Sequence, residues 1–162
     1  MLKHHQLIST GLFALALLMP ASLCMANALD ISGSIGIIQI KRSVSDNWSS
    51  DNGLRISAEN TEVGLHKITI DVTSADPNAW YARSLRVSID DEQSWRDISP
   101  TIFFHQGNLV INGTLMGNFD FISNMSTGVY PSNILVYESR ANLDAVPGPA
   151  DLTVTYTLLS QF

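Results

Sequence analysis

Leu152-Thr153-Val154-Thr155-Tyr156-Thr157-Leu158 alternates apolar and hydroxyl-bearing side chains without a break. Successive side chains of a strand point to opposite faces, so this period of two marks a strand with one face buried and one in water. The same pattern recurs along the chain. Ile68, Ile70 and Val72 alternate with Lys67, Thr69 and Asp71; Leu85, Val87 and Ile89 with Arg86 and Ser88; Leu54, Ile56 and Ala58 with Arg55, Ser57 and Glu59. Ile102-Phe103-Phe104, Leu109-Val110-Ile111 and Ile134-Leu135-Val136-Tyr137 are apolar runs of less regular type. Turn residues divide them: Asp51-Asn52-Gly53 before the Leu54 strand, Gln106-Gly107-Asn108 and Asn112-Gly113 as hairpin loops, and Val146-Pro147-Gly148-Pro149 as a rigid break. No stretch carries a 3.6-residue period. Seven to nine short strands predict an all-β fold, an immunoglobulin-like β-sandwich.

The chain has 162 residues, 45% of them hydrophobic and only 15% charged. That is the size of one domain with a core of its own. The net charge of −6 excludes a nucleic-acid surface of the usual basic kind. Lys3, His4 and His5 precede the apolar run Gly11 to Met19, and Ala26-Asn27-Ala28 follows. This is the order of a secretory signal peptide. The apolar run is shorter than the roughly 20 residues a bilayer span needs. The expected organisation is a signal peptide over 1–28, an N-terminal strand over 29–41 and a β-sandwich domain over 42–162. Cleavage after Ala28 leaves 134 residues with eight basic and 15 acidic side chains, a net charge of −7. Cys24, the only cysteine, leaves with the signal, so the exported domain folds without a disulfide.

Catalytic patterns are sparse. His66 and His105 lack partners at metal-ligand spacing. No Gly-x-Ser-x-Gly elbow is present. Asp90-Asp91-Glu92 reads as a solvated turn rather than a working carboxylate pair. No catalytic residue, metal or cofactor is expected. Trp48, Trp80 and Trp95 are the candidate ligand or partner contacts, because an exposed indole joins large apolar area to a polar edge. For Trp95 the flanking Asp91, Glu92, Arg96 and Asp97 predict exposure.

The residues after the signal do not read as a frayed terminus. Leu29, Ile31, Gly33, Ile35 and Ile37 share one strand phase, as a segment built to enter an apolar groove would. Near the other end, Gly128-Val129-Tyr130 leads into Ile134 to Tyr137, and Trp48 followed by Asn52-Gly53-Leu54 leads into two alternating strands. In these features the chain resembles the cysteine-free fimbrial subunits, or pilins, of the chaperone–usher class. It departs from them in one respect: about 20 residues follow the strand that carries Gly-x-Tyr.

The resemblance implies an incomplete sandwich completed by strand donation. A neighbour's Leu29, Ile31, Gly33, Ile35 and Ile37 would fill its groove, with main-chain hydrogen bonds giving affinity and alternate side chains filling pockets. It further implies identical or related pilin subunits, a periplasmic chaperone and an outer-membrane usher as partners, with a host glycan or protein as receptor. The route would be through the periplasm to a cell-surface fimbria. Two other readings fit the pattern. Leu152, Val154, Tyr156, Leu158 and Phe162 share a phase, as in the last strand of a small outer-membrane β-barrel. The tryptophans suit a secreted carbohydrate-binding β-sandwich.

Overall fold

The computed structural model describes residues 27–34, 38, 40, 42–43 and 47–161. Most of the expected signal peptide, together with Ile35 and Ile37, lies outside the described residues.

Ten strands and one short α-helix are present among them, with a single 3₁₀ turn at Pro77–Trp80. In chain order they are β1 (Ala28–Gly33), β2 (Ser49–Asn60), β3 (Leu65–Thr73), β4 (Arg83–Ile89), α1 (Glu92–Arg96), β5 (Phe103–Phe104), β6 (Gly107–Ile111), β7 (Thr114–Leu115), β8 (Phe119–Met125), β9 (Gly128–Ala141) and β10 (Thr153–Gln161). Six strands form one sheet in the order β1-β2-β9-β4-β6-β7, and four form the other, β10-β3-β8-β5. All ladder pairings are antiparallel. The protein is an all-β sandwich. Among the described residues the two sheets share no strand pairing and β10 pairs with β3 alone, an open sandwich rather than a closed barrel. No helix among the described residues is long and apolar enough to cross a membrane.

Alternation becomes burial as the sequence predicts. Ile56 and Ala58 of β2, Ile68, Ile70 and Val72 of β3, and Leu85, Val87 and Ile89 of β4 all lie in the core. Leu135 and Tyr137 meet them from β9, Phe121 and Ile122 from β8. Burying each such side chain contributes about 1.5–3 kcal/mol before ordering costs. The four inward residues of β10 behave differently: Leu152, just before the strand, and Val154, Tyr156 and Leu158 within it are packed against the core yet only half-buried.

The Gly-x-Tyr sequence makes a corner. Tyr130 is buried near the start of β9, and its hydroxyl donates to the carbonyl of Ser126, 2.7 Å away, just before the chain crosses from one sheet to the other. This is the tyrosine corner of immunoglobulin-like sandwiches. Gly128 is needed there because a Cβ would press on the Ile98 side chain.

Two turn readings change. Asn112-Gly113 is a two-residue hairpin between β6 and β7, with both φ angles positive (49° and 83°) as a type I′ turn demands. Gln106-Gly107-Asn108 is not a hairpin, because β5 and β6 belong to different sheets. Gly107 instead permits close packing, since a Cβ would strike the Val87 carbonyl. Asp51-Asn52-Gly53 does not precede a strand either. It forms a bulge inside β2, between the pairs Asp51↔Tyr137 and Leu54↔Leu135.

Candidate functional site

The two sheets end on the same side with unpaired edges, β1 on one and β10 on the other, and the two strands touch. The expected donor segment occupies this place. Its first residues, Leu29–Gly33, lie in β1, which starts one residue earlier at Ala28 and pairs residue for residue with Leu54–Glu59 of β2 in its own chain. Leu29 and Ile31 face the core but stay half-buried, and Asp30 points to water. Among the described residues the strand has β2 as its one ladder partner, at the sheet margin rather than between two strands, which leaves its outer row of peptide groups as a strand edge.

Gly33 ends this strand with φ +94°. A Cβ there would collide with the Gly53 carbonyl, and one on Gly53 would collide with that of Ser34. The facing glycines let β1 and β2 approach at the bulge. The chain then returns toward β9, where Arg42 bridges Ala141 and the Ser43 N–H donates to the Ala141 carbonyl. On the way Ile38 and Ile40 line an interior cavity. The sequence reading assigned the inward phase to odd-numbered residues throughout and missed these two. The positive φ at Gly33 is the local signal that one phase need not continue.

Asn27 pins the start of β1. Its side-chain oxygen accepts from the Thr61 and Glu62 N–H groups at 2.9 and 3.3 Å. Its amide donates to Nε2 of His66 at 2.9 Å. His66 is fully buried and thus serves as an inward-facing anchor. His105 bonds Ser123 Oγ at 3.0 Å.

The three tryptophans part company. Trp95 is 0% exposed, against the expectation that its charged neighbours keep it in water. Those charges are used by the helix itself: Asp91 caps α1 through the Ser94 N–H, Glu92 pairs with Arg96 at 2.8 Å, and Gln93 donates to Asp97. The indole is left facing inward. It packs on Tyr130 with ring centroids 5.1 Å apart and donates to the Pro131 carbonyl. Trp80 is buried as well and donates to the Asp151 carbonyl. Neither indole stands at the outer surface, and Trp80 lines the cavity between the sheets.

Trp48 alone remains at the surface, half-exposed. Arg86 and Arg140 lie over its ring at 4.3 and 4.7 Å from the centroid, attracted by the ring's quadrupole. Arg86 also pairs with Glu138 at 2.6 Å. Ser84, Gln106 and Asn108 complete a hollow of about 340 Å³ on this outer sheet face. Such a surface offers guanidinium and amide donors rather than a bare aromatic platform.

Two groups titrate abnormally. Tyr137 of β9 and Tyr156 of β10 hydrogen-bond each other through their hydroxyls across the sandwich. Burial pushes Tyr137 up to about 12, and the bond from Tyr156 offsets this only in part. Tyr156 is raised too, by burial first and then by its partner. Among the described residues no three His, Cys, Asp or Glu side chains gather as metal ligands would.

Comparison with protein-family models, curated proteins and solved structures finds no match to the chain.

Proposed function

We propose that the protein is an exported structural and adhesive subunit of a bacterial surface fimbria, polymerising by donor-strand addition. The observation that carries this reading is β1: an apolar, alternating strand held at a sheet margin with β2 as its one ladder partner among the described residues. A strand so placed exchanges more readily than one paired on both sides, since it gives up a single ladder. Beside it, the half-buried Val154, Tyr156 and Leu158 of β10 offer apolar surface to an incoming strand. A neighbour's Leu29 and Ile31 would then replace the chain's own, and head-to-tail exchange that does not close yields a fibre. A periplasmic chaperone would shield the edges in transit and an outer-membrane usher would assemble the fibre. The Trp48–Arg86–Arg140 face supports the adhesive part, as a contact for acidic host glycans.

The test is assembly of the purified chain. Light scattering and electron microscopy are expected to show concentration-dependent polymers for the wild type and monomers for Ile31→Asp or for deletion of residues 29–37. A peptide spanning residues 28–41 is expected to bind the deletion variant and cap it. Polymers from the deletion variant equal to those of the wild type would overturn the proposal.

A further inference from the structure

Behind the β9–β10 loop a cavity of about 900 Å³ opens between the sheets. Leu85, Leu152 and Val154 form its apolar wall, with Ile38 and Ile40. Its volume lies in the roughly 300–1,000 Å³ range of small-molecule sites, which combine such walls with a few polar groups.

Arg83 is one of those groups. It is only 8% exposed. Its Nη2 donates to the carbonyls of Val146 and Gly148 at 2.7 and 2.9 Å, while its buried Nε has no acceptor among the described residues. Arg83 makes no ion pair among them either. A guanidinium taken out of water without a counter-charge is costly, and its planar fork fits a carboxylate. A second cation, Arg42, stands at the wall and donates to the Leu143 and Ala145 carbonyls, each at 3.4 Å. The one carboxylate among the described lining residues, Asp151, is exposed. Tyr137 also lines the cavity.

We infer that this cavity binds a long-chain carboxylate, with the anionic head on Arg83 and the acyl chain among Leu85, Leu152 and Val154. The head would supply the counter-charge that the Arg83 guanidinium lacks among the described residues, and the tail would cover the apolar wall. This inference does not depend on the assembly reading, because it concerns the monomer.

The test uses the full chain, delipidated and folded by circular dichroism, titrated with dansylundecanoic acid and competed with oleate or oleyl alcohol. Saturable uptake of one probe per chain is expected, displaced by oleate at least roughly tenfold more tightly than by the alcohol, the scale of one charge-assisted hydrogen bond. Arg83→Met is expected to abolish that preference. Because Arg83 also holds the loop, Val154→Trp provides a second arm: it fills the cavity with Arg83 intact and is expected to abolish uptake. Absence of saturable uptake by the wild type, equal affinity for oleate and alcohol, or unchanged uptake by Val154→Trp would overturn the inference.

Discussion

Gly33 and Gly53 face each other across β1 and β2 with no room for a side chain on either, since a Cβ on Gly33 would strike the carbonyl of Gly53. The φ of +94° at Gly33 adds a backbone cost for any L side chain. Gly33→Ala is therefore expected to destabilise the β1 margin by about 1–3 kcal/mol without dismantling the sandwich, whose core lies elsewhere. Hydrogen exchange provides the check. Protection should fall in Leu29 to Ile31 and stay unchanged in β3 and β8.

Asn27 holds the other end of the same strand. Asn27→Ala would take the Thr61 N–H acceptor away and remove one contact of the buried His66 Nε2, which keeps Ser160 Oγ and Glu62. An unsatisfied buried group costs about 1–3 kcal/mol, so a fall of that order in urea stability is expected. A chain that starts at Leu29 should show the same loss relative to one that starts at Asn27. Equal stability of the two chains would show that Asn27 adds nothing.

The tyrosine pair makes stability depend on alkaline pH. An exposed tyrosine in the unfolded chain ionises near 10, whereas Tyr137 in the fold does so at about 12. Between those values the unfolded chain releases protons that the folded one keeps. Stability is thus fully present below pH 10 and falls as pH rises toward 12. The slope is about 1.4 kcal/mol per pH unit for each tyrosine involved. Urea unfolding from pH 8 to 11.5 measures it, and Tyr137→Phe should flatten the slope.

The sequence pattern is legible where burial depends on neighbours of the same strand. Ile68, Ile70 and Val72 alternate because β3 has one face on the core, and Asn112-Gly113 is readable because only certain residues accept its two positive φ angles. It is not legible where distant strands decide. The turn chemistry at Asp51 is real, since its side chain accepts from the Gly53 N–H at 2.8 Å. Yet pairing with β9 resumes beyond it and converts the turn into a bulge. The Arg83 cavity has no local signature, because its walls come from four separate segments. Trp95 is buried despite its charged neighbours because Arg96 and Asp97, one and two residues on, turn to other faces of the helix, while the Asp91 carboxylate accepts from the Ser94 N–H and Glu92 pairs with Arg96.

That difference between the tryptophans is open to spectroscopy. Acrylamide should quench Trp48 readily and leave the buried Trp80 and Trp95 largely untouched, so the accessible fraction should vanish in Trp48→Phe. Stability should follow the same division. Trp95→Ala removes a fully buried ring packed on Tyr130 and is expected to cost about 3–5 kcal/mol. Trp48→Ala removes two cation–π contacts, from Arg86 and Arg140, each worth about 0.5–1 kcal/mol at an exposed site. Its cost is expected near 1–2 kcal/mol.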